Sequence, residues 1–507
     1  MCCSLIKCEK GMKTKMQMKY KSTRGKNTEV LSAEAIVTGI AKDGGLFVPT
    51  SIPTISRADF DVMVNEDYRA RAERIFAMYL TDFTSDEIKD CVTKAYSKEK
   101  FGSDHAAPLY KLTDDKYILE LWHGPTCAFK DMALQILPHL LTKSMKKTGV
   151  EKQVVILVAT SGDTGKAALE GFCDVEGTKI MVFFPNDGVS NIQKLQMVTQ
   201  KGENVNVMSV FGNFDDAQNG VKKIFGDKEF AEKIAENGYQ LSSANSINWG
   251  RLLPQIVYYV SAYCDMVKCG DITFGEEVNI CVPTGNFGNI LAAWYAKAMG
   301  LPVKKLICAS NENNVLTDFI KTGVYDRNRS FKTTISPSMD ILISSNLERL
   351  LYNLSDSEKV SEYMNLLKEE GKYEVSDDIK KAISEVFEAG YVDDAQTKAE
   401  IKKVWDEHKY LIDTHTAVAC AVNDKLADGT KTIIASTANP FKFNGSVYEA
   451  LVGEVKETDE FEILNNLSSM TGAKVPASLG ELKNKTPRFN SSCKKEDMEE
   501  CVAAFLA

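Results

Sequence analysis

The 507-residue chain is poor in the residues and patterns that mark several large function classes. Histidine is scarce. His105, His123, His139, His408 and His415 are the full set, and none stands at metal-ligand spacing from another. No metal site is expected. The thirteen cysteines form no Cys-x-x-Cys pair and lie singly in apolar segments such as Val278–Val282 (VNICV) and Leu306–Ser310 (LICAS). That excludes a disulfide scaffold or zinc ribbon and points to reduced core cysteines in a cytoplasmic protein. Positive charge is not in excess: 61 Lys and Arg face 70 Asp and Glu, for a net charge of -9, which removes the electrostatic case for nucleic acid. No apolar run approaches the ~20 residues of a membrane helix. The opening MCCSLIKCEKGMKTKMQMKYK has too short an apolar core for a secretory signal, and Met12, Met16 and Met18 are candidate later starts. No Gly-x-Gly-x-x-Gly dinucleotide fingerprint occurs.

What is present is an ordinary globular composition, 44% apolar and 26% charged, on a chain long enough for two to four domains. Residues 20–100 read as helix-rich, with helical patterns over Asp61–Leu80 and Ser85–Lys98. From about 105 short β-branched strands alternate with helices. The clearest strands are Gln153–Ala159, Lys179–Phe184, Asn204–Val210, Val278–Val282, Lys304–Ala309 and Thr432–Ala435. That alternation predicts an α/β fold with a largely parallel sheet. Residues 376–410 read as a solvated layer of charged helices.

One lysine stands out. Lys130 ends the string Leu121-Trp122-His123-Gly124-Pro125-Thr126-Cys127-Ala128-Phe129-Lys130-Asp131, after a Gly-Pro turn and an apolar stretch. An amine in apolar surroundings loses proton affinity, and a lysine so tuned can form a Schiff base with a carbonyl cofactor. No other lysine sits in an apolar string flanked by Gly-Pro. Cys127, beside it, reads as core packing.

Three strand-to-helix junctions suit ligands. Strand Val154–Ala159 runs into Thr160-Ser161-Gly162-Asp163-Thr164-Gly165 and a helix from Lys166; strand Val278–Val282 runs into Pro283-Thr284-Gly285-Asn286-Phe287-Gly288-Asn289 and a helix from Ile290 to Met299. Small residues let backbone approach a ligand, and free N–H groups at a helix start favour an anion. A nucleotide P-loop fails on spacing, since Gly165-Lys166 is followed by Ala167 and position 160 is Thr. The third junction ends in Ser436-Thr437, where a hydroxyl can bond a ring nitrogen without enforcing a charged pyridinium, or can serve as a plain helix cap.

Together these strings closely resemble the threonine synthases, in the fold-type-II group of pyridoxal-phosphate enzymes. The resemblance covers most of the chain: Tyr20–Gly25, Asp43–Pro49, His123–Asp131, Ala159–Gly165, Asn245–Gln255 (NSINWGRLLPQ), Thr284–Asn289, Ser336–Arg349 (SPSMDILISSNLER) and Ser436–Phe443. It departs at Asn439-Pro440-Phe441, where the family more often has His-Pro-Ala, and it omits the first 18 residues. It implies a parallel-sheet large domain, a smaller mobile α/β subdomain and a helix-rich N-terminal region. The expected division is an extension over 1–18, an N-terminal domain over 19–105, and a catalytic region over 106–507 with the subdomain at about 155–250.

The resemblance also implies residue roles. Lys130 is expected to carry pyridoxal 5'-phosphate and to catalyse. Gly285, Asn286, Phe287 and Asn289 are expected to cradle the cofactor phosphate, with Gly288 supplying backbone freedom. Thr437 is expected to face the ring nitrogen, with Ser436 as its substitute. Ser161, Asp163 and Thr164 are expected to meet the substrate carboxylate and the ring oxygen. The Asp163 side chain is expected to orient the turn or accept a bond from a protonated group. Asn248 and Arg251 are expected on the substrate side, and Arg251 would suit a phosphate by bidentate geometry. The implied reaction converts O-phospho-L-homoserine and water to L-threonine and phosphate, the last step of threonine biosynthesis. The alternative is a related phospholyase that eliminates phosphate from another amino compound. A monomer or homodimer without nucleic-acid or membrane partners is expected.

Overall fold

The computed structural model describes residues 17–25, 28–160, 162–186 and 189–507; the first 16 residues and the expected substrate residue Ser161 lie outside them. In chain order the strands are β1 (Tyr20–Ser22), β2 (Phe47–Pro49), β3 (Leu109–Lys111), β4 (Lys116–Glu120), β5 (Gln153–Ala159), β6 (Thr178–Pro185), β7 (Val205–Phe211), β8 (Tyr239–Ser242), β9 (Val278–Pro283), β10 (Val303–Ser310), β11 (Val324–Asp326), β12 (Lys372–Glu374), β13 (Phe387–Tyr391), β14 (Thr432–Ser436) and β15 (Ser492–Lys494). Two sheets organise the molecule. The first has order β13-β10-β9-β14-β4-β3, parallel except for β3 at its edge. The second has order β15-β7-β6-β5-β8 and is parallel throughout. Its outer strand comes from the far end of the chain. Helices cover both faces, so central strands such as β5 and β9 read as unbroken apolar runs and are buried along their length.

The N-terminal region is helical as its pattern predicts, with one break. The Asp61–Leu80 stretch forms two helices, Arg57–Met63 and Tyr68–Tyr79. Asp67 starts the second by accepting a bond from Ala70 N–H, a local cap that outcompetes continuation. The 376–410 segment is also not helix alone: β13 lies within it and pairs with β10. Beneath the first sheet runs the Trp249–Lys268 helix, almost wholly buried, packed on the Gly288–Ala298 helix. Among the described residues no helix is long and apolar enough to cross a membrane.

In a parallel sheet the carboxyl ends of neighbouring strands open on one side, the usual place for a ligand. Here β4, β14 and β9 are adjacent, and each is followed by one of the strings singled out above. The Thr160–Gly165 loop follows β5 of the second sheet and faces them.

Candidate active site

Lys130 is positioned by pairing of its own string with the segment after β14. Leu121 N–H donates to Ser436 O at 3.0 Å, Phe129 N–H to Thr437 O at 2.8 Å, and Asn439 N–H to Cys127 O at 3.0 Å. The turn that presents it is closed by Asp131, whose carboxylate accepts from Thr126 N–H at 2.8 Å and Thr126 Oγ1 at 2.7 Å. Gly124 is required there, since a Cβ would stand 2.5 Å from the Asp131 side chain. Cys127 adopts φ 59°, the left-handed region, at the tip. Burial pushes the Asp131 carboxyl up to about 6 despite its bonds to Thr126. The Lys130 amine lies over the Phe129 ring at 4.7 Å. Burial pulls its proton affinity below the ordinary lysine value, and Lys442 and Arg251 act the same way against the opposing pull of Asp163.

Asp163 opens the Asp163–Phe172 helix on the second sheet. Gly162 precedes it at φ 149°, a backbone only glycine adopts readily, and a Cβ there would meet Gln193 at 2.6 Å. Thr160 Oγ1 ties the loop by accepting from Gly162 N–H and Gly165 N–H, each at 3.0 Å. The Asp163 carboxylate points into the site. Oδ1 lies 2.9 Å from Lys442 Nζ and accepts from Gln193 Nε2 at 2.9 Å; Oδ2 lies 3.5 Å from Lys130 Nζ and accepts from Ser338 Oγ at 3.4 Å. Burial alone would raise this carboxyl, but Lys442 and Lys130 outweigh it and hold it ionised, well below the usual carboxylate range. Ser338 is itself anchored, its N–H donating to His415 Nε2 at 3.1 Å while His415 Nδ1 meets Asp413 Oδ2 at 2.8 Å.

The Gly285–Asn289 loop has the features of an anion cradle. The backbone N–H groups of Asn286, Phe287, Gly288 and Asn289 donate to nothing among the described residues, and they stand at the start of an 11-residue helix. Asn346 holds the loop from behind, its N–H and Nδ2 both donating to Asn286 O at 3.1 Å. Arg349 braces Asn346 Oδ1 at 2.5 Å. Asn289 Oδ1 accepts from Tyr258 and Tyr259 hydroxyls, each at 2.6 Å, while its buried Nδ2 has no partner. Gly285 is pressed against backbone, with Ser338 O 2.9 Å from where a Cβ would sit.

At the third junction the two hydroxyls separate. Ser436 Oγ is engaged by Trp122 Nε1 at 2.9 Å and Thr416 Oγ1 at 3.0 Å. Thr437 is buried, and its hydroxyl has no partner among the described residues. Arg251, 3% exposed, donates from Nη1 to Ala244 O and leaves Nε without a partner. Among the described residues it pairs with no carboxylate, and burial pushes its guanidinium down to about 10. A buried guanidinium without a carboxylate invites an anion. A buried lysine of lowered proton affinity, a hydroxyl without a partner among the described residues, an open helix start and orphaned buried donors fit pyridoxal phosphate. Lys130 would hold it covalently, the Gly285–Asn289 loop its phosphate and Thr437 its ring nitrogen.

Two expected residues are engaged differently from the expectation. Asn248 is tied into the protein, its Nδ2 donating to Ile36 O at 3.0 Å and its Oδ1 capping Gly250 N–H at 2.9 Å. Gly288 does not supply the unusual backbone. The left-handed residue is Phe287, at φ 62°, and Gly288 is small because Asn346 Nδ2 lies 3.3 Å from its Cβ direction. Thr164 is half-buried beside Asp163 with its hydroxyl free among the described residues. Sequence reasoning missed Lys442, the fully buried lysine on Asp163. Its flanks, Pro440-Phe441-Lys442-Phe443, carry the same apolar signal as Lys130.

Comparison with known proteins agrees along the chain. Three family models match: Threonine synthase N terminus over residues 19–96, Pyridoxal-phosphate dependent enzyme over 107–436, and Threonine synthase, C-terminal over 416–502. Human threonine synthase-like 1 is 42% identical over 445 residues, covering 85% of this chain, which spans only 59% of that protein's length. Threonine synthase of Saccharomyces cerevisiae is 38% identical over 479 residues, covering 88% of this chain and 91% of the yeast protein. The crystal structure of PLP-bound threonine synthase from Brucella melitensis superposes with a TM-score of 0.86 at 35% identity, covering 96% of this chain and 99% of that one.

Proposed function

The chain belongs to the threonine synthase family of pyridoxal-phosphate-dependent enzymes, and from that premise we propose that it converts O-phospho-L-homoserine and water to L-threonine and phosphate, closing threonine biosynthesis. The observation that carries this is Arg251, buried close enough for its charge to act on Lys130 and paired with no carboxylate among the described residues. Among the described residues Asp163 is the one carboxylate within ion-pair distance of the two lysines, and Arg251 adds a third cation. A substrate that brings a phosphate completes that balance.

Pyridoxal phosphate, when bound, supplies an electron sink for a carbanion at the substrate Cα. The protein's part is positioning and proton movement. Lys130 Nζ, lowered in proton affinity by its surroundings, takes the proton from Cα and then one from Cβ, which lets phosphate leave Cγ with its bonding electrons; protons return to Cγ and to Cα as water adds at Cβ. Arg251 binds the substrate phosphate and holds it at Cγ, where it departs. Thr164 orients the substrate carboxylate through its free hydroxyl. Asp163 stays ionised between Lys442 and Lys130 and steadies both. Water enters at Cβ only after phosphate leaves, so the second sheet is expected to close over the first during turnover.

Likeness both to threonine synthase and to threonine synthase-like 1 gives reason to test one alternative, a phospholyase on a related amino compound, which would use the same lysine and loops. The purified protein with O-phospho-L-homoserine separates them. Phosphate and threonine in equal amounts support the synthase. Phosphate with an oxo-acid and no threonine supports the phospholyase, and no phosphate at all removes the synthase and leaves the phospholyase to be tested on other phosphorylated amino compounds.

A further inference from the structure

We propose that Lys442 is a positioning residue for the reacting amine: by taking up the charge of Asp163, it leaves Lys130 beside that carboxylate without being locked to it. The proposal rests on Lys130 being the cofactor lysine.

The geometry is asymmetric. Lys442 Nζ is 2.9 Å from Asp163 Oδ1 and donates to Thr126 O at 2.8 Å, and its side chain is fully buried. Lys130 Nζ is 3.5 Å from Asp163 Oδ2, longer than a hydrogen-bonded ion pair, and its side chain keeps 11% exposure. A lysine without access to water stays charged only where it is paired. Asp163 is the carboxylate within ion-pair distance, so Lys442 claims it first. Lys130 then feels one anion already shared.

The groups facing the Lys130 amine come from three elements besides its own. Asp163 comes from the Asp163–Phe172 helix, Lys442 from the turn after β14, and Arg251 from the Trp249–Lys268 helix; Phe129 lies beneath it. Two cations oppose a charge on Lys130 and one anion favours it. Removing Lys442 leaves one cation, Arg251, against one anion. Asp163 then has Lys130 as its nearest cation, and the pair holds a proton that the reaction needs to move. Lys442 also ties the turn at Thr126 to Asp163, so it links the lysine string of the first sheet to the loop of the second.

The test is a pH titration of the visible absorption of the purified holoenzyme, which reports the proton on the nitrogen that joins Lys130 to its cofactor. In Lys442→Met the midpoint is expected to rise by about one pH unit or more, with Lys442→Arg close to wild type. Asp163→Asn is expected to lower the midpoint, and the double variant Lys442→Met with Asp163→Asn to fall between. Borohydride reduction and peptide mapping should place the cofactor on Lys130 in each protein. A Lys442→Met protein that is less heat-stable but titrates at the wild-type pH has lost only packing and overturns the proposal. If that variant does not fold, an unmoved midpoint in Asp163→Asn overturns it equally. Cofactor trapped on Lys442 in the wild type overturns both the proposal and the assignment of Lys130. Failure of the substrate reading shows separately, as a wild-type protein that shifts as described yet releases no phosphate.

Discussion

At the scale of single residues the account rests on where charge is buried. Lys130→Ala should abolish turnover and the visible absorption of bound cofactor together; cofactor still trapped by borohydride at another lysine in that variant contradicts the assignment. Arg251→Gln should leave the visible spectrum nearly unchanged while kcat/KM falls about a hundredfold, the scale of a lost charge-assisted contact of ~3 kcal/mol. Steady-state kinetics alongside the spectrum reads both. Much of this chemistry was legible in the sequence. Lys130 announces itself by its Gly-Pro turn and apolar flank, and Arg251 lies in a string diagnostic of the family. Lys442 was not found, although Phe441 and Phe443 flank it, because an apolar neighbourhood in sequence does not say which carboxylate the fold brings near. Asn248 shows what the sequence leaves out in another way: asparagine before a helix is first a cap, and here its amide bonds Gly250 and Ile36.

At the scale of elements the two anion-suited loops should fail differently. Gly285→Val forces a side chain onto Ser338 backbone at a position with 2.9 Å of room. It should weaken cofactor affinity by about tenfold or more, since overpacking costs ~1–3 kcal/mol. Thr164→Val should keep the cofactor and change substrate KM or kcat by about tenfold, the scale of one hydrogen bond. A cofactor titration and a substrate titration on each variant decide it, and the reverse pattern would mean the loops are exchanged. The strands flanking these loops were readable because strands buried on both faces are continuous apolar runs. β4 and β13 were not. Glu120 closes β4 before the lysine string, and Glu388 and Gly390 interrupt β13, so neither shows an unbroken run. Pairing makes them strands: β4 lies between β14 and β3, and β13 pairs with β10.

At the scale of the whole molecule, Asp163 joins the two sheets, because its partners Lys130 and Lys442 follow β4 and β14 of the first and its helix follows β5 of the second. Stability should also carry a mark of buried histidine. Burial pushes His139 from 6.5 down to about 4, with Lys100 and Lys94 adding to it. The folded state therefore binds this proton less readily than the unfolded chain. Its contribution is complete above pH 6.5 and is lost as pH falls toward about 4. Thermal denaturation across that window should show a shallower acid slope for His139→Gln than for the wild type, and equal slopes would contradict it. The central claim is that phosphate leaves by cleavage of the bond to carbon and that water then becomes the hydroxyl of threonine. Turnover of O-phospho-L-homoserine in heavy-oxygen water, read by mass spectrometry of both products, tests this most directly. The account predicts the label in the threonine hydroxyl and none gained by the phosphate during turnover. Label in the phosphate, with homoserine as the other product, would contradict it.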